Sequence, residues 1–146
     1  MKSLKIDDGY KEFMINDDPN RVIRFNPADV AILTRIRDSV DRIEQSLKDS
    51  EDDFAINPDG TPADKMEQAG DAVRKVTELV KEQINYIFNA DVSEAVFGNQ
   101  SPLSLVGGVP LYERFLNVVI PEIEKAVKTE RKLSEKRVGK YVEMVR

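Results

Sequence analysis

The sequence predicts a mainly α protein with a small β element near its start, an α+β fold. Three observations carry this reading. Period-two alternation of apolar residues is confined to residues 4–25. Apolar spacing of three and four fills most of the chain beyond Phe25. Half of the ten aromatics, Tyr86, Phe88, Phe97, Tyr112 and Phe115, lie between Tyr86 and Ile120. Aromatic side chains bring the largest burial per residue, so the core is expected to close there. The expected architecture is a short β-hairpin or meander packed on a bundle of long amphipathic helices, the last of them kinked.

A chain of 146 residues fits one domain, and 40% hydrophobic with 34% charged residues is a globular composition. We read 1–146 as a single domain: a β element over 1–25, a helical core over 26–124, and a basic helical tail over 125–146, free to move. The start, MKSLKIDDGYK, has no apolar segment of the signal-peptide type. No run is long enough to cross a bilayer. Without cysteine there are no disulfides or thiolate sites, which suits a reducing compartment. Without histidine, Ser-His and Cys-His catalysis is excluded and the commonest transition-metal ligand is missing. A net charge of -5 argues against general phosphate attraction, so nucleic acid is not an expected partner.

Leu4 and Ile6 alternate ahead of the turn Asp7-Asp8-Gly9. Phe13 and Ile15 alternate before a second turn over Asn16-Asp17-Asp18-Pro19-Asn20, and Val22, Ile23 and Phe25 form a third apolar patch. Short strands of this kind are marginal alone and leave edges open to strand addition. Asn26-Pro27-Ala28-Asp29 predicts a helix start, with Asn26 as cap, Pro27 at the first position and Asp29 in the first turn. Val30, Leu33, Ile36, Val40, Ile43 and Leu47 make one stripe, and the acidic run after Lys48 predicts an end near Asp49.

Residues 49–63 predict a loop. As a calcium loop with Gly60 at position 6, it would place Ala55 at position 1 and Met66 at position 12, so the pattern fails at both. A second helix is expected from about Ala63 to Phe88, with Met66, Ala69, Val73, Val76, Val80, Ile84 and Ile87 inward and Gly70 at a close crossing. Glu78 and Glu82 lie one turn apart, but a solvated face suits them better than a metal. Asn89 and Asp91 end that helix, Ser93 caps a short turn through Phe97, and Gly98 with Asn99 supplies the left-handed exit. Pro102 and Gly107-Gly108 bend the chain before a last helix opening at Pro110. There Leu111, Phe115, Val118, Val119, Ile123 and Val127 repeat, and Pro121 predicts a kink or break near Val119. Residues 125–146 hold eight Lys or Arg against three Glu, whereas 29–71 hold five basic and twelve acidic residues. This asymmetry favours head-to-tail self-association or an acidic partner, against a frayed tail with Leu133, Val138, Tyr141, Val142 and Val145 partly docked.

No catalytic, cofactor-binding or metal-binding residue is assigned. Gly107-Gly108 lacks the Lys and Ser/Thr of a phosphate loop, and Ser101 and Ser104 have no activating histidine. Phe88, Phe97, Tyr112 and Phe115 are assigned to the structural core, and Asn26 and Asp29 to the helix cap. The expectation is a protein that is not an enzyme and needs no cofactor.

The order of five segments resembles the tail assembly chaperones of long-tailed phages and prophages of Gram-positive bacteria. They are Ile6-Asp7-Asp8-Gly9, Phe25-Asn26-Pro27-Ala28-Asp29, Ala95-Val96-Phe97-Gly98, Leu111-Tyr112-Glu113-Arg114-Phe115-Leu116 and Val119-Ile120-Pro121-Glu122-Ile123. The resemblance implies a small, largely helical protein that binds and solubilises the tape-measure protein and helps recruit tail-tube subunits. It implies a homo-oligomer working in the bacterial cytoplasm and absent from the mature virion, with no nucleic-acid or membrane partner. It brings no functional-site motif. The competing readings are a phage structural, connector or adaptor protein, and a small regulator that binds a host protein.

Overall fold

The computed structural model describes residues 1–51 and 66–145. The calcium-loop pattern around Gly60 and the expected start of the second helix at Ala63 lie outside those residues. The fold is mostly helical with a short antiparallel hairpin, an α+β arrangement.

Strands β1 (Lys11–Ile15) and β2 (Asp18–Phe25) form the hairpin. Asn16 and Asp17 both take positive φ, 53° and 58°, as the type I′ kind of two-residue hairpin turn requires. The turn is therefore shorter than the five residues expected. Asp18, Pro19 and Asn20 belong to β2. The register jumps there, from Met14 opposite Val22 to Ile15 opposite Asp18. Pro19 falls in the extra residues of that bulge, where no ladder hydrogen bond is asked of it. Leu4 and Ile6 are not in a strand, and both are exposed. The turn after them is closed by Asp7 and Asp8 side chains on Gly9 and Tyr10, and pairing begins only at Lys11.

Helix α1 spans Ala31–Asp49, so it starts later than Asn26. Asn26 closes a turn instead, its Oδ1 accepting from Ala28 N at 2.9 Å. Asp29 Oδ1 accepts from Ala31 N at 3.0 Å at the helix entrance, and the capping position, Val30, has no side-chain bond. Helix α2 is described over Met66–Phe88. Its buried face is Ala72, Val76, Val80, Gln83, Ile84, Ile87 and Phe88; Met66 and Val73, expected inside, are exposed. Gly70 is exposed, and a Cβ there would meet nothing within 4 Å, so no close crossing occurs at it. Helix α3 (Ser93–Phe97) is one short turn, and a small hairpin of β3 (Leu105–Val106) and β4 (Val109–Pro110) follows. Pro110 thus ends a strand, and helix α4 begins at Leu111.

Helix α4 (Leu111–Val145) passes through Pro121 without a break. Of the kink or break expected near Val119, the break does not occur. Proline removes only its own N–H, leaving the Asn117 carbonyl without that bond. Asn117 and Pro121 are exposed, so water can serve that carbonyl, while buried Leu116, Val119 and Ile123 hold the opposite face. From Lys128 to Lys140 every residue is exposed, and Leu133 and Val138 do not dock. At about 1.5 Å per residue α4 is roughly 18 Å longer than the described part of α2, so its second half outruns the body.

The core joins both helical layers to the hairpin. Ile23 and Phe25 of β2 pack with Ile36 and Ile43 of α1, Val80 and Ile84 of α2, and Leu116 and Ile123 of α4. A file of rings runs through it: Phe13 to Phe25 at 4.8 Å, Phe25 to Phe88 at 4.9 Å, and Phe88 to Phe115 at 6.0 Å. Phe97 is 2% exposed. Phe97→Ala is expected to cost about 3–5 kcal/mol, read as a lower midpoint in denaturant. An unchanged midpoint would refute full burial.

Tyr112 is also buried. Burial pushes its phenol above the ordinary tyrosine value, and the charges of Glu113 and Glu44 add to that. The folded state therefore holds this proton more tightly than the unfolded chain. The resulting stability is present below about pH 10 and is lost as pH rises through the higher folded value. Thermal melts at about pH 9 and 11 are expected to show a steeper fall for the native chain than for Tyr112→Phe.

Candidate functional site

The site is a groove between the hairpin and the first half of α4. It is about 310 Å³, floored by Phe13, Ile23, Phe25, Phe115 and Val119. Met14 and Val118 stand at its sides, 56% and 71% exposed. Arg21, Arg114 and Glu122 put charge at its edge.

Alternation along β1 sends Phe13 and Ile15 inward and leaves Met14 outside. On α4, Phe115 and Val119 lie one turn apart on the inner stripe, and Val118 sits beside them toward solvent.

The two arginines at the edge are structural as well. Arg21 donates from Nε to the Ala95 carbonyl and from Nη2 to the Val96 carbonyl, both at 2.8 Å. These carbonyls lie near the end of α3, where a cation is favoured. Gly98 follows with φ +60°, and a Cβ there would approach Arg21 Cζ to 3.3 Å. At the other end of α3, Asn85 Oδ1 accepts from Val92 N and Ser93 N at 2.8 and 2.9 Å. The expected cap, Ser93, is instead buried, with Val92 at the capping position. Arg114 donates to the Val109 and Ser104 carbonyls at 3.1 and 2.7 Å, fixing the β3–β4 hairpin to α4.

No family model, curated protein or solved structure matches this chain.

Of the residues assigned from sequence, Phe88, Phe97 and Tyr112 are buried, and Phe115 is half-buried against them at the groove. Asn26 closes the turn that follows β2, and Asp29 accepts from Ala31 N at the entrance to α1. Glu78 and Glu82 are exposed, and among the described residues no three acidic groups converge as a metal site. Among those residues, no helix is long and apolar enough to cross a membrane. Sequence reading missed Arg21, Asn85 and Arg114, because side-chain bonds to backbone groups leave no periodic trace, whether the partner is 74 positions away, as for Arg21, or a few, as for Asn85 and Arg114. It also missed Met14, although an apolar residue out of phase between Phe13 and Ile15 was a usable signal.

Lysine cannot take two carbonyls with a planar fork. Arg21→Lys is therefore expected to cost about 1–3 kcal/mol and to raise amide exchange over residues 93–98 before the rest of the chain. Uniform exchange across the chain would count against Arg21 as the holder of α3.

Proposed function

We propose that this chain is a tail assembly chaperone of a long-tailed phage or prophage, and not an enzyme. It binds the tape-measure protein, keeps it soluble and helps bring tail-tube subunits to it. It does so in the cytoplasm of the bacterial host and is left out of the mature virion. The observation that supports this reading is the exposed apolar groove beside the family-like segments of α4.

A tape-measure protein is long and helical, and presents apolar surface before its tube forms. A chaperone for it needs an apolar trough that grips one face of a helix without reading a strict sequence. Phe13, Phe115 and Val118 offer such a trough, and Arg21 and Glu122 offer one charge of each sign at its edge. The exposed basic half of α4 adds a second, longer surface for an acidic partner.

Co-expression with a tape-measure fragment tests the reading. The fragment is expected to remain soluble and to co-purify with the native chain. Val118→Asp, at an exposed position on the groove, is expected to weaken capture about tenfold or more while circular dichroism stays unchanged. A fragment that is equally soluble without the chain, or captured equally by the Val118→Asp chain, would overturn it.

A further inference from the structure

Residues 1–10 form an arm without regular structure, on which Leu4 and Ile6 are 92% and 83% exposed. The base of the arm is fixed. Gly9 N donates to Asp7 Oδ1 at 3.0 Å, and Asn26 Nδ2 donates to the Asp8 carbonyl at 3.3 Å. Gly9 has φ +72°, a left-handed backbone that favours glycine, and a Cβ on it would press to 2.7 Å on the end of the Asn26 side chain. Among the described residues no hydrogen bond holds residues 1–6. Just beyond the turn, β1 has β2 along one edge and, among the described residues, no strand along the other.

We propose that the arm of one copy adds as a strand to the free edge of β1 in a second copy. Three features match. Residues 2–6 and β1 are each five residues, about 17 Å when extended. Alternation puts Leu4 and Ile6 on one face of the arm and Lys5 on the other. On β1, Phe13 and Ile15 are half-buried on the core side, and Glu12 and Met14 are exposed on the opposite side. Pairing Leu4 and Ile6 beside Phe13 and Ile15 extends the apolar face. It also sets Lys5 on the face of Glu12, with opposite charge. An unpaired strand edge beside exposed apolar residues is a template for such addition. Every copy has both an arm and an edge, so two copies exchange arms and close on each other. The exchange stands whichever partner the groove receives.

Light scattering over a concentration series is expected to show a dimer of the whole chain. Deleting residues 2–6, or combining Leu4→Asp with Ile6→Asp, is expected to weaken it at least about tenfold with unchanged circular dichroism. Leu4→Val with Ile6→Val is expected to keep it. Because the chain has no cysteine, placed thiols give a second readout. The proposed pairing sets Lys5 opposite Met14, so a mixture of Lys5→Cys and Met14→Cys chains is expected to form an oxidised dimer containing one of each, above what either forms alone. A chain that stays monomeric throughout, a dimer indifferent to loss of the arm, or a double-cysteine variant that closes its disulfide within one copy would overturn the proposal.

Discussion

The fold depends on a file of four phenylalanine rings. Phe13 and Phe25 come from the hairpin, Phe88 from the end of α2 and Phe115 from the first turns of α4. A two-stranded hairpin has too little buried area to stand alone. Ring contacts with centroids 4.8–6.0 Å apart connect it to both helices across most of the chain's length in sequence. The same file creates the groove, because Phe13 and Phe115 are its two half-buried ends.

Around that file, polar side chains act mainly on backbone groups. Arg21 serves the end of α3, Asn85 its start, and Arg35 donates to the Ile87 carbonyl at 2.9 Å near the end of α2. Arg21 and Arg35 join elements far apart in sequence, Asn85 joins α2 to the next helix, and each relieves a helix terminus of unsatisfied groups. A five-residue helix has little stability of its own. Held at both ends, α3 becomes a rigid plug that keeps Phe97 in the core.

Ion pairs contribute little by comparison. Among the described residues there are two, Arg35 with Asp29 at 3.8 Å and Arg74 with Asp71 at 3.5 Å. The charge of this protein thus faces its surroundings more than it holds the fold. The solvated second half of α4 concentrates basic residues where they remain open to a partner.

Much of the fold was legible in the sequence, because local signals are periodic. Three- and four-residue spacing marked α1, α2 and α4, alternation marked the hairpin, and the end of α1 at Asp49 agreed with its acidic run. The failures share one cause: a local signal loses when distant partners decide. Asn26 was the better cap by residue type, yet it closes a separate turn and contacts Asp8, and α1 opens at Ala31. Pro121 was the better break, yet burial on the opposite face carries α4 through it. Val73 and Val118 fit their stripes by spacing and are exposed, because a stripe's width is set by what covers it. The sequence by itself determined the three long helices and the first hairpin and excluded histidine and cysteine chemistry. Only the tertiary structure decided that Phe13, Met14, Phe115 and Val118 flank one groove, since packing between elements about a hundred residues apart has no period to read.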